Sequence, residues 1–516
     1  MKIVITWMPK ACLGGGKNDF VVGVGIFFYD GTTGEAALRK VYENIDAVLK
    51  ENSVYGHYAF CVKKGSSIYA FNDMSGMMRL YYYQDADGIT VSTSMLSVVA
   101  TIKEPKFDKV RLATNLTAKN IPFVQGVELF NFYKYLQIDG KQTKWNDRNI
   151  SDIKRIGNHE EAVKYVKGLF EEQVKELKPI GDERINIELT GGLDSRLTAS
   201  VLKSGGFNYG FVHFPGLNKR DTDISNKIAQ GLGADLDLQV DSKKLTPNEF
   251  ESVYGEFDFC FNFFNHHANA RRVMKNRYQF TGGYGEDIDT PQIYTIESRE
   301  VSALTENAVV KPTRKALKKK TRRDVVNGLT KLYSEYGFEA GKWMKDREYA
   351  YFTAVMDASL GGDSRTISAY NAVAVRYGMF SEYHFRHHVM DIDFEAKRNR
   401  RLTLSLIAAI DPELGSYPFS SHMLTTGESV NEAAKHPFHY KSRANLKSNL
   451  PDFVLDWYKK RQGAVFDTSL YKNIDFSLYD DIVNTRRIKK YPGVYRDVLQ
   501  RLYSIDLIRR VMGIKM

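Results

Sequence analysis

The segment Ile187-Glu188-Leu189-Thr190-Gly191-Gly192-Leu193-Asp194-Ser195-Arg196 holds the residue types and spacing from which chemistry is most directly read. It lies where an apolar strand, 185–189, hands over to a helix. Two consecutive glycines let the backbone turn tightly and leave amide hydrogens to face an anion. The start of the helix adds its partial positive charge, so pyrophosphate oxygens are well accommodated there. Ser195 supplies a hydroxyl, and Asp194 stands where it would hold magnesium on the phosphates. The expected chemistry is a grip on nucleotide phosphates. No Gly-Lys-Ser/Thr is present, which excludes a Walker loop, and the three-glycine dinucleotide fingerprint is missing too. From composition alone, a purely structural strand–Gly-Gly–helix turn stays open.

The elements that must position this loop follow from residue periodicity. Asn158 with Glu161 is a capping pair of the box type and opens a helix whose apolar face is Val163, Val166, Phe170, Val174 and Leu177. Strand 185–189, the loop, a short helix ending at Gly205-Gly206, strand 209–214, helix 221–232 and strand 235–240 come next. Thr246-Pro247 then opens a further helix. Strand and helix alternating at this spacing mean a parallel sheet flanked by helices, with right-handed crossovers. The first 150 residues differ. Runs 2–7, 20–29, 57–62, 67–71, 79–83 and 88–92 are β-rich and separated by turns such as Asp30-Gly31 and Asp87-Gly88, with one helix at 36–50. They predict an α+β layer of antiparallel sheet. Beyond about residue 325 the chain reads as mainly helical, without a sequence repeat.

Composition narrows the function classes. With 516 residues the chain is long enough for two or three domains, and 43% hydrophobic with 13% aromatic residues excludes a disordered or collagen-like chain. Three cysteines (Cys12, Cys61 and Cys260) are too few and too scattered for a disulfide framework or a cysteine-based zinc module. No apolar run reaches the length of a membrane span, and residues 1–10 lack the features of a signal peptide, so a cytoplasmic protein is expected. The net charge of +11 is spread along the chain, +4 in residues 1–150 and +7 in the rest, which argues against a dedicated nucleic-acid domain. Lys311, Arg314, Lys315, Lys318, Lys319, Lys320, Arg322 and Arg323 crowd into one stretch. A solvated insertion and a patch that steers an anionic substrate both account for it.

The loop residues Thr190 to Ser195 resemble the Ser-Gly-Gly-x-Asp-Ser pyrophosphate loop of the N-type ATP pyrophosphatases, in particular that of the asparagine synthetase family. That family cleaves ATP between its α- and β-phosphates and activates a carboxylate as an acyl-adenylate. Thr281-Gly282-Gly283-Tyr284-Gly285-Glu286-Asp287 resembles a second family segment, in which an Asp is the other magnesium ligand; Asp287 takes that role here, with Glu286 its neighbour and substitute. Two carboxylates from separate loops, Asp194 and Asp287, suit a metal that bridges triphosphate oxygens. Tyr55-Gly56-His57-Tyr58-Ala59-Phe60, Asn72-Asp73-Met74-Ser75-Gly76 with Tyr81-Tyr82, and the stretch 90–94 resemble landmarks of the family's glutaminase domain in the same order. The resemblance implies two domains. Residues 1–150 would form a glutaminase-like (Ntn-type) antiparallel β-sandwich, and residues 151–516 a synthetase domain with a parallel sheet flanked by helices.

One departure bears on mechanism. A working glutaminase of this type needs an exposed N-terminal cysteine, its own amine acting as base. Here Met1 is followed by Lys2, and Cys12 becomes terminal only if residues 1–11 are removed. The sandwich is therefore expected to be inactive and glutamine not to be the nitrogen source. Family members without that cysteine, such as β-lactam synthetase, carbapenam synthetase and lasso-peptide cyclase, use an amine carried by the same or a second substrate. Tyr284 within Gly283–Asp287 resembles the tyrosine that, with a glutamate, helps those enzymes deprotonate the amine; Glu382 is the candidate partner, and a surface glutamate the alternative. Leu450-Pro451 and Lys459-Lys460-Arg461-Gln462-Gly463 resemble the family's Leu-Pro…Lys-x-Gly stretch, whose lysine stabilises the reacting phosphorus; Lys460, or Lys459, is the candidate, though the lysine-to-glycine gap is longer here. Val212, His213 and Phe214 end the strand at which the family's backbone grips adenine. Asp221 and Asp223 either serve the site or cap a helix. His384, His387, His388, Asp391 and Asp393 form a ligand-rich stretch without the spacing of a zinc site.

These residues together predict an enzyme that uses ATP and Mg2+ to join a small-molecule or peptide carboxylate to an amine of the same or another molecule, as in macrolactam or β-lactam closure. Ammonia-dependent asparagine synthesis, a tRNA-modifying enzyme with the same loop and a non-catalytic scaffold are the rival readings. A homo-oligomer or a pathway partner protein stays open, and no membrane association is expected.

Overall fold

A computed structural model describes residues 2–6, 11–14, 19–117, 119–140, 142–150, 155–214, 219–238, 278–289, 298–313, 315–353, 355, 359–361, 375–419, 429–434, 451–461 and 469–516. Strands β1 (Lys2–Thr6), β2 (Ala11–Gly14), β3 (Phe20–Tyr29), β4 (Thr32–Thr33), β5 (Tyr55–Lys64), β6 (Ser67–Asn72), β7 (Tyr81–Gln84), β8 (Gly88–Ser92), β9 (Val127–Leu129), β10 (Lys134–Asp139) and β11 (Gln142–Asp147) form two sheets. The larger has the order β11-β10-β6-β5-β3-β2, with β4 beside β3, and the smaller β1-β8-β7-β9. Alternation along β5 explains how the larger sheet is covered. Tyr58, Phe60 and Val62 pack with helices α1 (Gly34–Glu43) and α2 (Ile45–Glu51), whereas Ala59 faces Ile89, Val91 and Phe130 of the smaller sheet's side. The outer face of the smaller sheet is buried by α3 (Met95–Val99), α4 (Lys109–Asn115) and the last helix, Arg496–Met512.

Two expectations are corrected here. Pairing in the smaller sheet is not wholly antiparallel, because β1 runs parallel to β8. Such a pair needs a long crossover, which the intervening strands supply. The single helix expected at 36–50 is divided at Asn44 (φ −111°, ψ 28°), whose side-chain amide donates to the Lys40 carbonyl at 3.1 Å. Asparagine competes in this way for backbone groups that would otherwise continue a helix.

The second architecture is a parallel sheet. Helix α5 (His159–Leu177) starts at Asn158, whose side chain accepts the Glu160 and Glu161 amides at 2.8 and 3.2 Å. After it come β12 (Ile185–Glu188), α6 (Leu193–Ser204), β13 (Tyr209–His213), α7 (Lys219–Gly231), β14 (Leu236–Leu238), β15 (Tyr278–Thr281) and β16 (Val375–Gly378). Every pairing in this sheet is parallel, in the order β14-β13-β12-β15-β16. The chain thus builds outward on one side of β12 and returns on the other, and the order reverses between β12 and β15. Strand β16 interrupts a region expected to be helical; at four residues it is too short to show alternation. The helix expected to open at Pro247 lies outside the described residues. Among the described residues no helix is long and apolar enough to cross a membrane.

The sheets meet. Ile26 and Phe28 of β3 share a core with Ile187, Phe280 and Tyr377 of the parallel sheet. Buried His57 of β5 accepts the Gly378 N–H on Nε2 at 3.2 Å, and the Phe107 amide donates to the Lys515 carbonyl at 2.9 Å.

Candidate functional site

Both glycine-containing segments leave the carboxyl ends of adjacent strands, β12 and β15, at the point where the sheet order reverses. In open α/β sheets this is where ligands bind. Gly192 caps α6 and has no side chain to take up the first amides of that helix. A helix start left in that condition favours an anion. The segment after β15 lies directly against it: a Cβ on Gly282 would fall 2.4 Å from the Ser195 nitrogen, and one on Gly285 2.4 Å from Asp194 Cβ and Cγ. Only glycine permits that approach, so two stretches some ninety residues apart in the chain form one corner.

The loop amides, expected to face an anion, are engaged internally. Thr190 N–H donates to Ser195 Oγ at 3.0 Å, Gly191 N–H to Asp221 Oδ1 at 2.8 Å and Gly192 N–H to Thr190 Oγ1 at 3.1 Å. Ser195 is buried, and its hydroxyl also lies 2.9 Å from Thr190 Oγ1, so it braces the loop. Asp221 therefore reaches back to the loop from the start of α7. His213 is buried and joins the ends of two strands, with Nδ1 2.7 Å from the Leu189 carbonyl and Nε2 3.0 Å from Thr222 Oγ1. Val212 is buried beside it and Phe214 half-buried just past the strand.

Two residues at the corner escaped sequence reasoning. The Arg400 guanidinium hydrogen-bonds to Asp194, and its Nε lies 3.5 Å from Oδ2 of Asp289. Asp289 is fully buried and also accepts from the Thr403 hydroxyl. Burial pushes its carboxyl up to about 6, against the opposing pull of Arg400. Arg400 itself adopts φ 63°, in the left-handed region, immediately before the helix Arg401–Ile410. In sequence it sits in the run Arg398-Asn399-Arg400-Arg401, which reads as a solvated basic patch. Beneath the loop, Glu188 pairs with Arg376 of β16 at 2.8 Å and accepts from Gln279 of β15 at 2.5 Å.

Tyr284, between Gly283 and Gly285, has φ 71°, a conformation that bulky residues adopt at a cost of roughly 1–3 kcal/mol. Its ring packs against Met77 and lies 5.6 Å from the Arg386 guanidinium. Glu382 is neither on the surface nor bonded to Tyr284. It is fully buried, caps the helix Tyr383–Met390 through the Phe385 amide at 3.1 Å, and lies 2.8 Å from His384 Nδ1 and 3.5 Å from the Gly56 nitrogen. Burial alone would raise its pKa, but the His384 charge and the hydrogen bonds outweigh that and hold the carboxyl below its usual range. It anchors a helix to the first sheets. The ligand-rich stretch does not converge either. His384 pairs with Glu382, His387 with Tyr351, His388 with Tyr165, Asp391 with Arg347, and Asp393 with Arg155.

Glu286 and Asp287 belong to a short helix, Glu286–Asp289, that begins right after Gly285, but their side chains lie outside the described residues. The same holds for Lys459 and Lys460 in the helix Asp452–Arg461. Cys12 pairs with Val22 within β2, Cys61 is buried with its thiol pushed well above its ordinary pKa, and Cys260 lies outside the described residues. Lys315, Lys318, Lys319, Lys320 and Arg323 are exposed, as a solvated stretch would be.

Neither a protein-family model nor a curated protein sequence matches the chain. Among solved structures it is similar to a glutamine phosphoribosylpyrophosphate amidotransferase from B. subtilis complexed with ADP and GMP, at 10% identity over 58% of this chain and 60% of that one, TM-score 0.16. It is also similar to the U34-tRNA thiolase NcsA from Methanococcus maripaludis with its 4Fe–4S cluster, at 14% identity over 53% of this chain and 88% of that one, TM-score 0.19. The chain therefore spans about three fifths of the amidotransferase's length. At these TM-scores neither superposition bears on what the corner does.

Proposed function

We propose that the chain is an ATP-dependent, amide-bond-forming ligase of the asparagine synthetase type, in which residues 151–516 form the synthetase and residues 1–150 a glutaminase-like sandwich without glutaminase activity. The observation that carries this reading is the contact of Gly282 and Gly285 with Asp194 and Ser195 at the reversal point of the parallel sheet. It joins an uncapped helix start, suited to phosphate oxygens, to a carboxylate suited to a divalent cation. Asp194 fits Mg2+, with Asp287 or Glu286 following in sequence just past Gly285. Bound there, Mg2+ would offset triphosphate charge. The chain's own residues hold the phosphates with the start of α6 and keep Asp194 oriented through Arg400. A carboxylate placed against the α-phosphate would become the acyl-adenylate, and an amine of the same or a second substrate would displace AMP. The position of Cys12 inside a strand paired with β3 fits a reaction that does not draw on glutamine.

The test is release of AMP and pyrophosphate from ATP when the full chain is incubated with metabolite extract, products being read by mass spectrometry. Asp194→Ala is expected to abolish ATP–pyrophosphate exchange. Exchange that survives this substitution would remove the loop from the mechanism.

A further inference from the structure

Away from the corner, two basic runs that are distant along the chain meet at one surface. Leu317 pairs with Val483 in an antiparallel bridge. The Lys318 N–H donates to the Ile482 carbonyl at 3.0 Å, the Asn484 N–H to the Ala316 carbonyl at 2.6 Å and the Thr321 hydroxyl to the Asp481 carbonyl at 3.3 Å. Residues 315–323 and 482–490 are joined in this way, and neither stretch contains an acidic residue. Leu317, Val325, Ile482, Val483 and Ile488 turn inward to a common core, which leaves the charged side chains facing out. Lys315, Lys318, Lys319, Lys320 and Arg323 are exposed in the first run, and Arg486, Lys489 and Lys490 in the second. Among the described residues none of these cations is held in an ion pair. The acids that bound the two runs are half-buried Asp324, Asp481, which pairs with Lys109, and Asp480, which accepts from the Thr485 hydroxyl at 2.7 Å.

We propose that this surface docks the phosphate backbone of double-stranded RNA. Most of its cations are lysines, compact and strongly hydrated charges that serve phosphate well and are depleted from protein–protein interfaces. A lipid surface would call for apolar side chains exposed among the charges, and those between these basic residues are buried. The contact is to phosphates and not to base edges. The helix Lys319–Ser334 offers only its first turns, because buried Val325, Leu329 and Tyr333 hold the rest of it in the core beside α4. RNA duplexes are recognised largely by shape and backbone, their major groove being too narrow for side chains to read. Along the sequence the positive charge is spread out; the bridge between Leu317 and Val483 concentrates it. This docking does not depend on the ligase reading of the corner.

The experiment is fluorescence anisotropy of a labelled RNA duplex titrated with the full chain at low and at raised salt. About four phosphate contacts predict a roughly hundredfold loss of affinity between 50 and 200 mM salt. The combined variant Lys318→Gln, Lys319→Gln, Lys489→Gln and Lys490→Gln should bind about tenfold or more weakly at the lower salt, with a shallower salt dependence. The control, Lys144→Gln, Lys164→Gln, Lys167→Gln and Lys175→Gln, removes the same charge from exposed positions of β11 and α5 and should bind as the unaltered chain does. Each half of the first variant, Lys318→Gln with Lys319→Gln or Lys489→Gln with Lys490→Gln, should weaken binding by itself, since both runs contribute. Thermal unfolding shows that each variant is folded. No retention of RNA by the unaltered chain, an equal loss in the two fourfold variants, or a loss confined to one run would overturn the assignment. So would tighter binding of a DNA duplex of the same sequence, or capture of phosphatidylserine vesicles in preference to RNA.

Discussion

Replacing Gly285 by alanine tests whether the two glycine-containing segments act as one site. The new methyl carbon would lie 2.4 Å from Asp194 Cβ and Cγ and 2.5 Å from Oδ1. Carbon atoms in contact rest about 3.5–4.0 Å apart, so Asp194 must retreat by about 1 Å or more. Gly285 does not adopt a positive φ, so the effect is steric and not one of backbone strain. Overpacking of this kind costs roughly 1–3 kcal/mol in stability. If Asp194 also holds the cation on ATP, its displacement forfeits one charge-assisted contact, about 1.5–3 kcal/mol. That is roughly ten- to a hundred-fold in Kd. The control is Gly283→Ala two residues earlier, whose Cβ meets, among the described residues, nothing nearer than Thr281 Oγ1 at 3.5 Å, an ordinary contact. Calorimetric titration with Mg·ATP, beside thermal unfolding, reads both terms. Gly285→Ala should lose affinity while remaining folded, and Gly283→Ala should match the unaltered chain. Affinity that is unchanged in a folded Gly285→Ala would refute the claim that Asp194 contributes to nucleotide binding from this position.

The Arg400 bridge makes a second prediction. Arg400→Gln strands the buried Asp289 carboxylate and should destabilise the chain by roughly 3–5 kcal/mol, and adding Asp289→Asn should restore much of that; additive losses in a denaturant double-mutant cycle would dissolve the proposed pair. The buried His57 makes a third. Burial lowers its pKa to about 4, with the nearby Glu382 charge opposing, so the imidazole is neutral in the fold. Its contribution is fully present above the ordinary histidine pKa of about 6.5 and is lost as pH falls from there towards about 4, on the order of 3 kcal/mol. His57→Gln should flatten the acid limb of a stability–pH profile, and an unaltered limb would show that other groups produce it.

Much of the architecture near the site was legible along the chain, because short-range physics dictates it. Apolar runs bounded by Gly and Asp turns marked β3, β8 and β12 closely, and Asn158 marked the start of α5 through a local bond to its own helix. The turn of Gly191-Gly192 into α6 was readable for the same reason. Breaks that depend on one side chain competing for the backbone, such as Asn44 dividing α1 from α2, were not. Nor was β16, whose four residues become a strand only when β15 offers them an edge.

The candidate site divides in the same way. Residue types and local spacing alone determined that residues 190–195 turn from a strand into a helix with a carboxylate in its first turn. Only the tertiary structure decided what that carboxylate touches. Arg400 arrives from two hundred residues away, Asp289 is buried behind it, and Gly282 and Gly285 bring a second loop within van der Waals distance. Glu382, readable as a surface acid or a catalytic one, is instead a buried helix cap held by His384. Burial and charge pairing belong to the packed molecule: a carboxylate's neighbours, and with them its pKa and its chemistry, depend on which distant elements the sheets bring together.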